Sequence, residues 1–312
     1  MLSRIADSLF WLSRYMERAD GLLRLTSTHY IFSLDKDLNG YLSWKPVLEL
    51  FSAAGEHDMP ALEKDTEGVL RRLLIDHTNA NSLKMVVHRA RENARGVQDH
   101  ITMEVWREVN QMYHTINQPS LQSRLNTFDA MEVMEVFTRH CLVFAGVTST
   151  TMPRGTGWDF MNLGKYLERS LQTIAFLQNQ LKLVRSGGAE PNDILHWRYL
   201  LLSLSGYELH LKSYQNSQHT FNVMHQVVLN ESFSRSIMYS LHHTAEFLHR
   251  VTNKEDGDGA HLLRCFGRLH SKVTYMDLKV LTEQGLEDFL EELTRDLQQF
   301  NTLLGQYFFS YS

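Results

Sequence analysis

Apolar residues recur along most of the chain at steps of three and four, the spacing of one face of an α-helix. The first such stretch covers residues 3–30, where Ile5, Leu9, Leu12 and Met16 share a face. Further aromatic and aliphatic side chains widen this face until little of the helix is plainly polar. We therefore expect this helix to be buried between others.

The same periodicity predicts helices through the rest of the chain, and the low proline content, 5 in all, agrees with this. The predicted helices are 41–54, 61–75, 82–101 with a kink at Gly96, 103–117 as either its continuation or a separate helix, 121–145, 158–182, 194–214, 219–229, 232–252, 260–283 and 285–309. The fold class is therefore all-α. The clearest interruption, 148–157, separates a first helical repeat, 1–150, from a second, 151–312, within one continuous globular unit.

A short motif occurs twice. Tyr15-Met16-Glu17-Arg18 matches Tyr166-Leu167-Glu168-Arg169, and the two glutamates are 151 positions apart (168 − 17). Matches in the same order at this period predict a domain-scale duplication. We expect a duplicated helical bundle whose two pseudo-symmetric halves pack around the paired Tyr-x-Glu-Arg helices. The further matched pairs are Trp44 with Trp197 (197 − 44 = 153) and Ser82 with Ser236 (236 − 82 = 154).

The paired motifs are also the main candidates for chemistry. Neighbours in a helix point about 100° apart, so a glutamate and its adjacent arginine do not pair directly. If the motif helices pack together, Glu17 can meet Arg169 and Glu168 can meet Arg18 in crossed ion pairs. Such a network either fixes helix register or encloses two carboxylates that bind a ligand or act as acid and base. The polar residues expected around these carboxylates are Arg14, Tyr15, Lys165 and Tyr166.

Other signals for chemistry are weak. The chain has no GxGxxG, GxxxxGK[ST], GxSxG or HExxH motif. A di-metal carboxylate bundle needs two Glu-x-x-His motifs, and only Glu246 with His249 fits, so we predict no metal site. Arg154 precedes a helix start, where it is either an anion ligand or an ordinary surface arginine.

Net charge and cysteine content indicate which partners and which cellular compartment to expect. The net charge of −5 argues against a nucleic-acid partner. Cys141 and Cys265 have no metal-like spacing and favour a reducing cytoplasm. The N-terminus does not resemble a signal peptide, and no apolar run approaches the ~20 residues of a spanning helix, so no membrane partner is expected. The aromatic C-terminal segment is either a homodimer contact or a segment that docks on the core.

Three separated segments, residues 1–20, 90–110 and 157–170, together resemble the bacterial alpha-E domain family, which is all-helical. The resemblance implies that the gene for this chain lies near genes for circularly permuted ATP-grasp ligases and transglutaminase-like proteins, as is typical of that family. The resemblance implies a role in making or modifying peptides or amides. This chain departs from the family pattern at Asp20-Gly21, where Glu-Asn is common, and at Lys165, where arginine is common. The residues that the family motifs imply are Tyr15, Glu17, Arg18, Tyr166, Glu168, Arg169, Glu92, Asn93, Ala94 and Arg95.

Two functions follow as alternatives. The first is a non-catalytic helical scaffold that binds the ligase or its peptide-like substrate. The second is an enzyme of the same pathway that uses Glu17 and Glu168 as its carboxylates. The lack of a recognisable nucleophile–base or phosphate-binding motif favours the scaffold. The residues assign no cofactor and no substrate.

Overall fold

The computed structural model describes residues 1–34, 43–52, 59–126, 128–186, 194–215, 218–252, 257–279 and 283–310. All regular structure in these ranges is helical, which confirms the predicted all-α class. A 3₁₀ turn at Gln98–His100 and a π-helical turn at His225–Leu229 supplement the α-helices. The α-helices are α1 (Ser3–Ser33), α2 (Lys45–Phe51), α3 (Met59–Leu62), α4 (Thr66–Leu74), α5 (Leu83–Gly96), α6 (Met103–Ile116), α7 (Leu121–Arg124), α8 (Ala130–Thr151), α9 (Thr156–Ser186), α10 (Ile194–Ser203), α11 (Tyr207–Ser213), α12 (His219–Met224), α13 (Ile237–Val251), α14 (Gly257–Thr274) and α15 (Glu283–Phe308).

The helices form two compact units. The N-terminal unit is Trp11–Pro153, and the C-terminal unit combines Met1–Phe10 with Arg154–Ser312. Helix α1 therefore gives its first residues to one unit and the remainder to the other. The predicted repeats, 1–150 and 151–312, differ from these units chiefly in where the first ten residues are assigned.

Four helices of the C-terminal unit contact one another in a ring. Helix α9 contacts α13, α13 contacts α14, α14 contacts α15, and α15 returns to α9. Buried apolar side chains fill the space between them; Phe266 of α14 and Phe300 of α15, for example, lie with ring centroids 4.8 Å apart. Burial of an apolar stripe on each helix is what holds such a bundle together.

The aromatic C-terminal segment packs within its own unit. The Phe308 ring lies 5.1 Å from that of Phe160 on α9. The Phe309 ring lies 5.1 Å from that of Phe10, at the start of α1. The sequence left open a homodimer contact or a segment that docks on the core, and these contacts are those of a docked segment.

The N-terminal unit has the same ring order. Helix α5 contacts α6, and α6 contacts α8. Helix α1 joins both ends of this series: the Arg89 guanidinium of α5 lies 6.0 Å from the Tyr15 ring centroid, and the Ser27 hydroxyl donates to the Met134 sulfur of α8. The order α1, α5, α6, α8 thus corresponds to α9, α13, α14, α15.

Individual hydrogen bonds also recur in both units. The Trp44 indole N–H donates to the Thr66 hydroxyl at 3.2 Å, and the Trp197 indole N–H donates to the Thr220 hydroxyl at 3.1 Å. Ser82 and Ser236 begin α5 and α13 in the same way. Each hydroxyl accepts the backbone N–H three residues later and donates to the backbone carbonyl six residues earlier. A duplication predicts such matched bonds, because copies inherit the same local contacts.

Several predicted helices are shorter than their apolar pattern suggested. The 61–75 segment divides because Asp65 caps α4 by accepting the Gly68 N–H. The 121–145 segment divides because the Asn126 side chain accepts the backbone N–H groups of residues 128 and 129. Such side-chain bonds compete with helical ones. Helix α8 then continues to Thr151, so the interruption is confined to residues 152–155.

Further boundaries were also predicted wrongly. The helix predicted to kink at Gly96 ends there instead, and α6 begins anew after its cap, Thr102. The predicted 260–283 helix ends at Thr274.

The 194–214 helix is broken at Ser205, whose φ is 55°, and at Gly206. A Cβ at Gly206 would lie 2.7 Å from the Phe233 ring, so the close approach requires glycine. The predicted 232–252 helix starts later, at Ile237, because Ser236 is its cap. Among the described helices, none has the length and apolar character needed to cross a membrane.

Candidate functional site

The second motif tyrosine lies in an aromatic cluster of the C-terminal unit. Tyr166 is 8% exposed, and its ring stacks on His243 at 4.7 Å and on Phe247 at 6.0 Å. Tyr239 meets the same ring edge-on at 6.0 Å, and the Lys165 ammonium lies 4.2 Å from its centroid. Because His243, Phe247 and Tyr239 all belong to α13, this tyrosine joins α9 to α13.

The second motif arginine fixes the turn before α13. Arg169 donates from Nη1 to the Ser234 carbonyl at 3.1 Å. One turn later, the Thr173 hydroxyl donates to the Arg235 carbonyl at 2.9 Å. Carbonyls in a turn before a helix have no intrahelical donor, so these bonds satisfy them. Glu168, between the tyrosine and the arginine, is 4% exposed.

The first motif lies on α1 within the N-terminal unit. The ring centroid of Tyr15 lies 5.3 Å from that of Trp11. The Arg18 guanidinium lies 5.7 Å from the Tyr15 centroid. Arg14 is 5% exposed and lies 4.5 Å over the Trp11 ring. These distances suit cation–π contacts. Glu17 is 7% exposed, so this carboxylate, like Glu168, is almost closed to solvent.

Further charged side chains follow Glu17 along α1. Arg24 donates to Asp20 at 2.8 Å. Burial by itself lowers the pKa of Arg24, but the carboxylates of Asp20 and Glu17 more than offset it and raise that pKa. Glu17 therefore lies within the electrostatic reach of an arginine about two turns further along its own helix.

The two motif tyrosines meet corresponding positions. Tyr15 contacts Arg89, and Tyr166 contacts His243, which is 154 positions later (243 − 89). The side chains differ, but each tyrosine joins its motif helix to the next helix of the ring. This shared contact was not predicted, because the residues at the second position are unlike each other.

The Glu-Asn-Ala-Arg segment serves α5 and its neighbours. The Asn93 side chain donates to the Arg89 carbonyl at 2.9 Å, within the helix. Arg95, which is exposed, forms an ion pair with Glu92. Arg91, which no motif indicated, donates to Asn110 of α6 at 2.8 Å. These bonds of the segment itself are local to α5, and the bond from α5 to α6 comes from the residue just before it.

The remaining predicted residue, Arg154, is exposed, and its guanidinium lies 3.8 Å over the Trp158 ring. Crossed ion pairs of Glu17 with Arg169 and of Glu168 with Arg18 would join residues of different units, and they stay a prediction. Within the described ranges, no three His, Cys, Asp or Glu residues converge as they would around a metal ion.

A cleft of about 710 Å³ lies in the N-terminal unit, and no predicted site residue lines it. It is bordered by the end of α4, the start of α5 and the connection from α6 to α7. Its cationic residues are Arg71, Arg72 and Lys84, Asp76 is its acid, and His77 also lines it. No motif marks these positions. The comparison of Lys84 with Met238, 154 residues later, is the sequence signal that would have drawn attention to them.

A second cleft, of about 600 Å³, lies between α14 and α15 of the C-terminal unit. Lys272 at its edge donates to Glu292 and to Asp296, both at 2.6 Å. Burial raises the pKa of the Cys265 thiol, which also lines this cleft. A raised thiol pKa disfavours the thiolate, which is the form in which a cysteine acts as a nucleophile.

The fold and these contacts define a class: an all-α protein of two helical units whose repeated Glu-Arg motif lies on long, largely buried helices. The chain belongs to the Alpha-E family, whose model is described as "A predicted alpha-helical domain with a conserved ER motif" and matches residues 1–309. The Glu-Arg dipeptide occurs here at 17–18 and at 168–169.

Curated relatives come from mycobacteria. Uncharacterized protein Mb2597 of Mycobacterium bovis and Uncharacterized protein Rv2567 of Mycobacterium tuberculosis are each 26% identical to the chain over 208 residues. The match covers 60% of this chain and 23% of each relative, so most of each relative lies outside it. No solved structure matches the chain.

Proposed function

We propose that the chain is a non-catalytic helical partner in a pathway that makes or modifies peptides or amides. Its proposed partner is a circularly permuted ATP-grasp ligase, or that ligase's peptide-like substrate. The observation that carries this proposal is the use of the motif side chains in internal contacts. Tyr166 is stacked against α13, and Arg169 is bonded to the turn before α13.

Those contacts suit a scaffold for a physical reason. A binding protein needs surfaces held in one geometry, and buried polar contacts between helices restrict how the helices can slide. An arginine that donates to a backbone carbonyl is a positioning group, not a reactive one. The motif therefore supports a rigid frame on which binding surfaces are carried.

The length of the relatives agrees with a module that works alongside others. The matched region occupies less than a quarter of each mycobacterial protein. A transglutaminase-like protein and a second copy of the chain are the further partners that we propose. The proposal sets this function in the cytoplasm, where the free thiols of Cys141 and Cys265 stay reduced.

One observation favours the alternative of an enzyme in the same pathway. Glu17 and Glu168 are 7% and 4% exposed. Carboxylates shielded from solvent are the kind that acid–base catalysis employs. In that alternative these two residues carry the chemistry, and the arginines beside them hold the substrate or set the charge.

Co-purification tests the partnership. The full chain, carrying an affinity tag and expressed at its natural level in the native host, is isolated and its companions are identified by mass spectrometry. An unrelated tagged helical protein at the same level is the control. We expect an ATP-grasp ligase to be enriched with the chain and not with the control. If no ligase is enriched over the control, the proposed partnership is wrong.

A further inference from the structure

The cleft of the N-terminal unit contains two cationic groups that the protein itself hardly uses. The acid nearest Arg71 is Glu67 at 4.0 Å, the outer limit of an ion pair, and both side chains are largely exposed. Lys84 has no ion-pair or hydrogen-bond partner in the part of the chain that the structure describes. Cations that share a concave surface and have a weak internal partner or none are suited to an anionic ligand.

The third cation is committed to the fold. Arg72 donates to Asp76 at 2.6 Å, to Thr78 at 2.9 Å and to Ser52 at 3.1 Å. Partial burial alone raises the pKa of Asp76, but hydrogen bonds from Thr78 and Arg72 lower it overall, so this carboxylate stays charged. Its charge is balanced by Arg72, which leaves Arg71 and Lys84 to give the cleft its positive character.

The remaining walls of the cleft are amide and apolar. Gln118 and Gln122 border it with exposed carboxamides, while Ile116 and Leu121 contribute buried apolar surface. A carboxamide has both a donor and an acceptor, the same pair that a peptide group presents. The wall therefore suits a ligand that contains amide bonds and some apolar surface.

The corresponding positions of the C-terminal unit have neither the arginine nor the lysine. At an offset of 154, Arg71 corresponds to His225 and Lys84 to Met238. The Nδ1 atom of His225 is hydrogen-bonded to the Tyr214 hydroxyl at 2.8 Å, so this side chain makes an internal contact. A fold with the same helix order thus forms without the two cations, and their presence in the N-terminal unit needs another reason.

We propose that this cleft binds a short peptide-like ligand carrying at least two carboxylates, with Arg71 and Lys84 each pairing with one of them. Its volume, about 710 Å³, lies within the roughly 300–1,000 Å³ of small-ligand sites. A guanidinium binds a carboxylate through two parallel hydrogen bonds, and an ammonium acts as a point charge. The proposal depends on these side chains alone and holds whether or not a ligase is the partner.

Titration calorimetry with the full chain tests the proposal. The probes are triglutamate, triglutamine and inorganic phosphate, each at low and at high salt. We expect triglutamate to bind, to bind less tightly at high salt, and to exceed the other two in affinity. Triglutamine has the amides without the charges, and phosphate has the charge without the amides, so the two controls separate the contributions.

Matched variants locate the site. Lys84→Met installs the residue found at the corresponding position of the C-terminal unit, and it should weaken triglutamate binding about tenfold or more, as loss of one charge-assisted bond does. Lys64→Met removes an exposed lysine of the same unit outside the cleft and should leave binding unchanged. Circular dichroism checks that both variants are folded. The proposal is overturned if triglutamate does not bind, if phosphate binds more tightly, or if Lys84→Met and Lys64→Met bind equally well.

Discussion

Replacement of Gly164 by alanine tests how the start of α1 packs on α9. An ideal Cβ at Gly164 would lie 2.3 Å from the carbonyl oxygen of Phe10, about 1 Å inside van der Waals contact. In a helix interior without neighbours, Gly→Ala stabilises by about 1 kcal/mol. Overpacking costs about 1–3 kcal/mol, and a backbone oxygen cannot rotate away, so the upper end applies. We expect a net loss of about 2 kcal/mol.

The matched control is Gly267→Ala, in the middle of α14 of the same unit. Apart from its chain neighbours and the backbone of its own helix, no described atom lies within 4 Å of its ideal Cβ, so the helical preference of alanine acts alone and should stabilise by up to about 1 kcal/mol. The two variants should therefore differ by about 3 kcal/mol in the free energy of unfolding. Urea unfolding followed by far-UV circular dichroism measures both. If Gly164→Ala is as stable as Gly267→Ala, the close approach of the two helices is wrong.

Three further predictions follow from single contacts. Thr66→Val and Thr220→Val should each lower the free energy of unfolding by about 1–3 kcal/mol in urea titrations, because each leaves a buried indole N–H without its acceptor; a response in only one unit would contradict the matched roles. Burial lowers the pKa of His29 to about 3. Between pH 3 and pH 6.5 this histidine is protonated in the unfolded chain and neutral in the folded one. The free energy of unfolding therefore falls as the pH falls below 6.5, by at most about 1.4 kcal/mol per pH unit. His29→Phe should flatten this dependence in unfolding measured from pH 4 to 7, and equal slopes would refute it. Arg169→Leu should speed hydrogen exchange in the first turn of α13 and leave that of α5 unchanged; equal effects at both helices would show a global loss instead.

Sequence patterns predicted the long helices well, and the offset of 154 pairs the residues at which α5 and α13 start, although the start of α13 itself was predicted too early, at residue 232. Ser82 and Ser236 were paired by offset, and both prove to be N-caps. This worked because a cap acts within three residues, so its cause is local and visible in the sequence. The motif helices were also recognised, since apolar positions on nearly all sides are typical of a buried helix.

The missed boundaries have causes that the periodicity does not contain. Asn126 ends a helical stretch through its own side chain, although the apolar spacing continues across it. Gly206 is needed because Phe233 lies against it, and that neighbour is distant in sequence. Periodicity reports which face is buried, but it does not report competing side-chain bonds or close approaches.

The candidate site divides in the same way. The motif residues were found from their repetition, whereas their contacts with α13 depend on the fold. The cleft had no motif, because Arg71 and Lys84 are brought together by the turn between α4 and α5 and by no fixed spacing. A position-by-position comparison of the two halves is the one sequence signal for these residues, because it shows that the N-terminal half has the two cations and the C-terminal half does not.

The most direct test of the account is the amount of pathway product per folded chain. The double variant Glu17→Gln, Glu168→Gln replaces the wild-type gene in the native host, where untargeted mass spectrometry identifies the amide product by its loss on deletion of the gene. The folded chain is quantified in the same cells. If the carboxylates serve the frame of a binding partner, product falls only in proportion to the folded chain. Product that disappears while folded protein remains at the wild-type level would contradict the account and assign the two glutamates to catalysis.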